Sequence, residues 1–254
     1  MNFTTKTAIV TGASRGLGRN MVLALAKKGI DVIFTYNHNK EAAEQVVSEI
    51  QSLGRKGRAF QLDTRKVAQF DDFFRQTAEY LQKETGSPNF DYLINNAGTG
   101  LYAPVQDVTE EQLDDTFNIH YKGVFFLTQK ALPFLNDGGG IVNISTGLAR
   151  FVSPNYSVYA SMKGAIEVLT RYLAAELGAR KINVNTVAPG AIETDFNSGA
   201  VRDNKDLNAH VASTVALGRV GLPEDIGSVV AFLCTDDARW INAQRIEVSG
   251  GQAL

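Results

Sequence analysis

Tyr159 and Lys163 stand four residues apart in Tyr159-Ala160-Ser161-Met162-Lys163. In a helix that spacing puts both side chains on one face, one turn apart. A phenol with its ordinary pKa of about 10 is a poor proton carrier at neutral pH. An ammonium beside it favours the phenolate, so the pair predicts a Tyr159 pKa lowered toward neutrality and acid–base chemistry at physiological pH. Tyr and Lys at this spacing form a weak motif alone, and the rest of the chain has to corroborate it.

A second chemical feature lies near the N-terminus. Ala8-Ile9-Val10 reads as a short buried strand, followed by Thr11-Gly12-Ala13-Ser14-Arg15-Gly16-Leu17-Gly18 and a helix with Leu17, Met21, Ala24 and Leu25 on one face. A strand, a glycine turn and a helix start make an anion site, because free backbone N–H groups and the helix dipole point the same way. The spacing is neither Gly-x-Gly-x-x-Gly nor a Walker loop.

The elements that must position these groups alternate. Strands are expected at Asp31–Tyr36, Arg58–Leu62, Asp91–Ile94, Gly140–Ile144, Ile182–Val187 and Arg245–Val248, with helices at about Lys40–Leu53, Val67–Glu84, Thr109–Leu135 (irregular near Pro133), Tyr159–Gly178 and Glu224–Cys234. Thr194–Leu217 is polar and weakly periodic, and reads as a mobile helical lid. Alternation of this kind implies parallel pairing through crossovers, and thus an α/β, Rossmann-type doubly wound sheet of about seven strands with helices on both faces, in a single domain over 1–254. Ligands in such sheets sit beyond the carboxyl ends of the strands. Gly12–Gly18, Tyr36–His38, Asp63, Asn95–Gly98, Thr146 and Pro189-Gly190 all follow strands, and with Tyr159 they converge on one crevice.

Composition narrows the partners. The 44% apolar content is ample for a large core, and a net charge of −2 gives no electrostatic case for nucleic acid or an anionic membrane. No apolar run approaches the roughly 18 residues of a membrane span. His38, His120 and His210 lack metal-ligand spacing, so no metal is expected. A lone cysteine, Cys234, and no apolar secretory segment near Met1 suit a reducing, cytoplasmic setting.

Thr11-Gly12-x-x-x-Gly16-x-Gly18, Asn95-Asn96-Ala97-Gly98, Tyr159-x-x-x-Lys163 and Pro189-Gly190, with Pro223-Glu224-Asp225-Ile226 and Ser249-Gly250-Gly251 at the end, resemble the short-chain dehydrogenase/reductase family over essentially the whole chain. The glycine spacing and the length are similar to its single-domain branch, and broadly to 3-oxoacyl-carrier-protein reductases. The resemblance implies that Tyr159 exchanges the proton at the substrate oxygen while hydride moves at carbon. Lys163 would hold the nicotinamide ribose. Asp63 would accept from the adenine amino group, Asn95 would brace the crevice, and Ile192 and Thr194 would hold the carboxamide. The dinucleotide set it implies is Gly12, Ser14, Arg15, Gly16, Leu17, Gly18, Tyr36, Asn37, Asp63, Thr64, Asn95, Ala97, Gly98, Tyr159, Lys163, Pro189, Gly190, Ile192 and Thr194.

Two positions depart from the family pattern. Thr146 stands where a catalytic serine is usual, and strand alternation turns neighbouring Ser145 to the other face. His120 stands where an asparagine usually feeds a water relay to the lysine. An unperturbed imidazole titrates near about pH 6.5, so activity is expected to fall below that pH through His120.

Thr35-Tyr36-Asn37-His38 carries no acid for a ribose 2′-hydroxyl, and Arg15 can pair with a 2′-phosphate, so NADP(H) is expected over NAD(H). Phe117, Tyr121, Phe125 and Phe126 give the long helix more than one apolar face, which points to a homotetramer. The expected substrate is a small carbonyl compound or secondary alcohol, with an acyl-carrier protein as a further candidate partner. Tyr102, Phe151, Tyr156 and Phe196 lie on loops above the crevice. A dinucleotide-sensing protein on the same scaffold is the alternative.

Overall fold

Thr7–Val10 (β1) is buried at every position and pairs in parallel on both sides, with Asp31–Tyr36 (β2) and Phe90–Asn95 (β4). Strands covered on both faces need continuous apolar runs, which is why Val-Ile-Phe and Leu-Ile recur without alternation. Gly57–Gln61 (β3), Leu135–Ile144 (β5), Asn183–Pro189 (β6) and Arg245–Val248 (β7) complete a parallel sheet in the order β3-β2-β1-β4-β5-β6-β7. The structure, a computed structural model, describes residues 5–254, and the first four residues of the expected 1–254 domain lie outside them.

Helices α1 (Gly16–Lys27), α2 (Lys40–Ser52) and α9 (Pro223–Leu233) cover one face of the sheet. On the other lie α3 (Phe70–Thr85), α5 (Gly123–Ala131) and α6 (Ser157–Glu176). Met21, Val22, Leu25, Val46, Ile50 and Val230 fill the first core, and Phe70, Phe73, Phe74, Phe90 and Leu127 the second. The strand order reverses beside β1, between β1 and β4, so their carboxyl ends open the crevice where α/β sheets bind ligands.

The expected long helix over Thr109–Leu135 is not continuous. It consists of α4 (Glu110–Phe117), a π turn over Asn118–Lys122 and α5, which stops at Ala131 before Pro133. Leu135 already belongs to β5. The helix thus ends just before Pro133, where irregularity was expected, and carries in addition an unanticipated π turn around His120. A Cβ on Gly123 would stand 2.2 Å from the Thr64 carbonyl oxygen, so the chain can pass this point only without a side chain. The wide turn rotates His120 inward, where it is 1% exposed.

Thr194–Leu217 also differs from a single lid helix. A short turn at Phe196–Gly199, in which Asn197 and Ser198 adopt left-handed conformations, precedes α7 (Ala200–Asp203) and α8 (Lys205–Ser213). None of the helices among the described residues is long and apolar enough to cross a membrane.

Candidate active site

The glycine turn is pinned from beneath. Thr11 Oγ1 accepts from the Asn96 and Ala97 N–H groups at 2.9 and 3.0 Å, and Asn96 Nδ2 donates to the carbonyls of Thr11 and Gly12, each at 2.9 Å. A Cβ on Gly18 would lie 2.3 Å from the Gly12 oxygen, so the turn closes only on glycine there. At the start of α1 the Arg15 backbone is extended, with no side-chain cap and no acidic residue in the first turn. Its free N–H groups and positive dipole end therefore face outward, which fits the diphosphate of a dinucleotide. A Cβ on Gly16 would meet Thr194 Cβ at 3.8 Å, so the expected nicotinamide segment does face the glycine turn across the crevice.

The second half supplies the groups expected to react. Tyr159, Lys163, Thr146 and His120 are all buried and come together at the carboxyl end of β5. His120 and Tyr159 stack edge-to-face at 5.2 Å, and Lys163 Nζ lies 5.8 Å from the Tyr159 ring centre while donating to the Ile144 carbonyl at 2.7 Å. Thr146 is the hydroxyl on the Tyr159 side. Ser145 turns away, as alternation requires, and donates to Glu167 at 2.7 Å.

The electrostatics overturn the expected lowering of the Tyr159 pKa. Burial pushes the phenol well above its ordinary value, and the hydrogen bond with Thr146 opposes this only weakly. Burial also pushes the Lys163 ammonium down to about 8. Magnitudes decide the outcome. Lys163, 5.8 Å from the ring centre, is not among the influences on the Tyr159 shift, and burial is the largest of them. Complete desolvation shifts a group by as much as about 3–5 units.

His120 is corrected in the same way. Burial, then the neighbouring Lys163 charge, lower its pKa to about 3, and the bond to the Thr99 carbonyl only partly offsets them. The ring is neutral throughout the physiological range, with Nε2 2.7 Å from that carbonyl oxygen and Nδ1 unpartnered.

Not every expected residue faces the crevice. Asn95 donates to Asn143 at 2.8 Å and Thr128 at 3.1 Å inside the sheet, so it supports the crevice from below. Asp63 is held by Arg65, which also reaches Asp115, and this lowers the Asp63 pKa. Tyr36 and Thr64 are buried, Asn37 is half-buried and Arg15 is exposed. Gly190 donates to Val248, and Gln252 accepts from Ala191 at 3.0 Å. Asn96 lies in the expected Asn95–Gly98 stretch, but its hold on the glycine turn was not anticipated, nor was Gln252. Alternation along β4 could have found Asn96, whereas Gln252 has no local signal. Arg245, 99 residues from Thr146, donates to its carbonyl at 3.2 Å and to Glu167 at 2.8 Å, and ties α6 to the same strand end.

Residues 12–253 match the family model described as enoyl-(acyl carrier protein) reductase. The chain is 37% identical to a hydroxynaphthalene reductase-like protein of Metarhizium brunneum, covering 97% of this chain and 94% of that one. It is 39% identical to an uncharacterized oxidoreductase of Methylorubrum extorquens, with 97% of each covered. Among solved structures, the promiscuous reductase LugOII, which catalyses keto-reduction at C1 during lugdunomycin biosynthesis, superposes with a TM-score of 0.94 at 37% identity over 100% of both chains. The landomycin C-6 ketoreductase LanV with bound NADP and rabelomycin gives 0.89 at 35% identity, over 99% of this chain and 98% of that one. A blue fluorescent protein from a metagenomic library, in complex with NADPH, gives 0.89 at 36% identity over 100% of both. The chain belongs to the short-chain dehydrogenase/reductase family, oxidoreductases that act on carbonyl and alcohol groups.

The depressed His120 pKa has a measurable sign. An unfolded chain takes up a proton at His120 below about pH 6.5, and the native protein refuses it until about pH 3. The stability tied to neutral His120 is thus intact above pH 6.5 and is lost as pH falls toward 3. His120→Asn should flatten the pH dependence of the denaturation midpoint over that window, and its acid rate limb should superimpose on the parent's down to about pH 5. A parent limb near pH 6.5 that the variant lacks would contradict the buried, neutral ring.

Proposed function

We propose that the protein is an NADP(H)-dependent carbonyl reductase that carries cofactor binding and catalysis on one domain. The observation that carries this reading is the convergence of Tyr159, Lys163 and Thr146 opposite an uncapped helix start behind the glycine turn. When bound, the dinucleotide supplies the hydride. Gly12–Gly18 would cradle its phosphates, Lys163 would hold its ribose, and Ile192 and Thr194 would flank the nicotinamide. Tyr159 donates its phenolic proton to the carbonyl oxygen, and the Thr146 hydroxyl donates a hydrogen bond to the same oxygen. A phenol whose pKa is raised by burial keeps its proton at neutral pH, which favours the reductive direction.

NADP(H) is preferred because β2 ends without an acid and Arg15 stands exposed beside the turn. The NADP and NADPH held by the similar structures support this choice. An acyl-carrier protein is a weaker candidate. Lys130 is paired with Asp71 and Arg180 with Asp137, which reduces the basic surface that an acidic carrier needs.

The assembly we propose is a homotetramer in the cytoplasm. Phe117 and Phe125 on the α4–α5 segment, and Val168 and Tyr172 on α6, are exposed large apolar residues that neighbouring subunits would cover. Light scattering at micromolar concentration should give the mass of four chains. A monomer mass would refute it.

Tyr159→Phe should lose roughly 10²–10⁴-fold in ketone reduction yet still bind NADPH, because the ring remains and only the proton is gone. Full activity in that variant would require another proton donor. Unchanged binding without any turnover in the parent would favour the dinucleotide-sensing alternative. Arg15→Ala should raise KM for NADPH about tenfold while leaving KM for NADH nearly unchanged, as expected for loss of one phosphate contact. An equal effect on both cofactors would remove Arg15 from the 2′-phosphate.

A further inference from the structure

The surface closing over Tyr159 is aromatic and comes from three separate loops. Tyr102 follows β4, Tyr156 immediately precedes α6, and Phe196 follows β6. Ring centres lie 5.1 Å apart for Tyr102 and Tyr156, 6.4 Å for Tyr156 and Tyr159, and 5.8 Å for Tyr159 and Phe196. Tyr102 and Phe196 are nevertheless 62% and 41% exposed. Wetted rings next to an enclosed proton donor are surfaces that a flat apolar ligand would cover favourably.

The polar atoms of this mouth are oriented as well. Asn155 Nδ2 donates to the Tyr102 hydroxyl at 2.8 Å, and Asn197 Nδ2 donates to the Tyr156 hydroxyl at 3.1 Å. Each phenol oxygen thereby accepts, and its own O–H remains to donate elsewhere. Asn155 and Asn197 both have positive φ, 72° and 50°, a conformation that asparagine adopts more readily than most residues. The arginines on these loops are committed to local carboxylates, Arg150 to Glu247 and Arg202 to Asp195 and Asp203. These loops therefore present aromatic faces and phenolic donors to Tyr159 rather than unpaired arginines.

We propose that the substrate is a flat, fused-ring aromatic ketone or quinone bearing a second oxygen. It lies against Tyr102, Tyr156 and Phe196 with its reacting carbonyl at Tyr159. The second oxygen accepts from the Tyr102 or Tyr156 hydroxyl. Phe196 is followed in its own short turn by Asn197 and Ser198, both in left-handed conformations. The assignment rests on the reductase reading. The ketone carbon gains a hydride from NADPH and its oxygen a proton from Tyr159, giving an alcohol and NADP⁺. Solvent then returns the proton to Tyr159.

The test compares NADPH oxidation with three ketones: 6-hydroxy-2-tetralone, 2-decanone of equal carbon number, and the acetoacetyl thioester of N-acetylcysteamine. The parent should show kcat/KM at least about tenfold higher for the tetralone than for either open-chain ketone, roughly what aromatic contacts at such a mouth supply. That preference should collapse toward unity in Tyr102→Ala and Phe196→Ala, and only partly in Phe196→Leu. NADPH binding, followed by fluorescence in each variant, reports that the fold is intact. Equal use of 2-decanone or the thioester by the parent, or a preference unmoved by all three variants, would overturn the substrate assignment and leave the reductase reading standing. Failure of all three ketones in protein that binds NADPH would overturn the reductase reading and the assignment with it.

Discussion

Exclusion of water from Tyr159 and Lys163 is the constraint on which the rest of the site depends. A lysine amine and a phenol in an apolar enclosure each resist taking on charge, and both shifts follow from burial before any charge–charge interaction is considered. Lys163 keeps one protein partner, the Ile144 carbonyl, at 2.7 Å. A buried ammonium has three donors to satisfy, so a single carbonyl leaves capacity for the hydroxyls of a ribose. The low dielectric that penalises the free pair is the same one in which a hydrogen bond to a developing alkoxide is strongest.

That enclosure has to be rigid, and the sheet supplies the rigidity with polar groups inside it. Asn95, Asn143, Thr170 and Thr186 form a chain of hydrogen bonds of 2.8–2.9 Å linking β4, β5, β6 and α6. A satisfied buried network fixes one arrangement of the elements it joins, although Asn95 Oδ1 remains without a partner. On the outer side, Glu167 ties α6 to Ser145 and to Arg245, which in turn holds the Thr146 carbonyl. The helix that carries Tyr159 and Lys163 and the strand end that carries Thr146 are thereby fixed to each other from two directions.

Much of this was legible in the residue order. Continuous apolar strands ending in Gly12, Asn95, Thr146 and Pro189 specified a parallel sheet and the edge at which chemistry occurs. Spacing placed Tyr159 and Lys163 on one face, and alternation separated Thr146 from Ser145. What escaped the sequence were quantities set by tertiary packing. The direction of the Tyr159 shift is set by burial, and spacing carries no information about burial. The π turn at Asn118–Lys122 directly precedes Gly123, which packs against the Thr64 carbonyl 59 residues away, a contact that the local pattern does not reveal. The same turn buries His120, which explains why a histidine expected to titrate near neutrality stays uncharged.

The most direct test of the account is the ionisation of Lys163 in the protein without dinucleotide. Selectively ¹³C-labelled lysine, with the Lys163 resonance assigned by its loss in Lys163→Met, can be followed through an alkaline titration. The buried ammonium predicts a midpoint of about 8 for that resonance, while exposed lysines titrate near about 10.4. A Lys163 resonance that titrates together with the exposed lysines would contradict a site governed by desolvation.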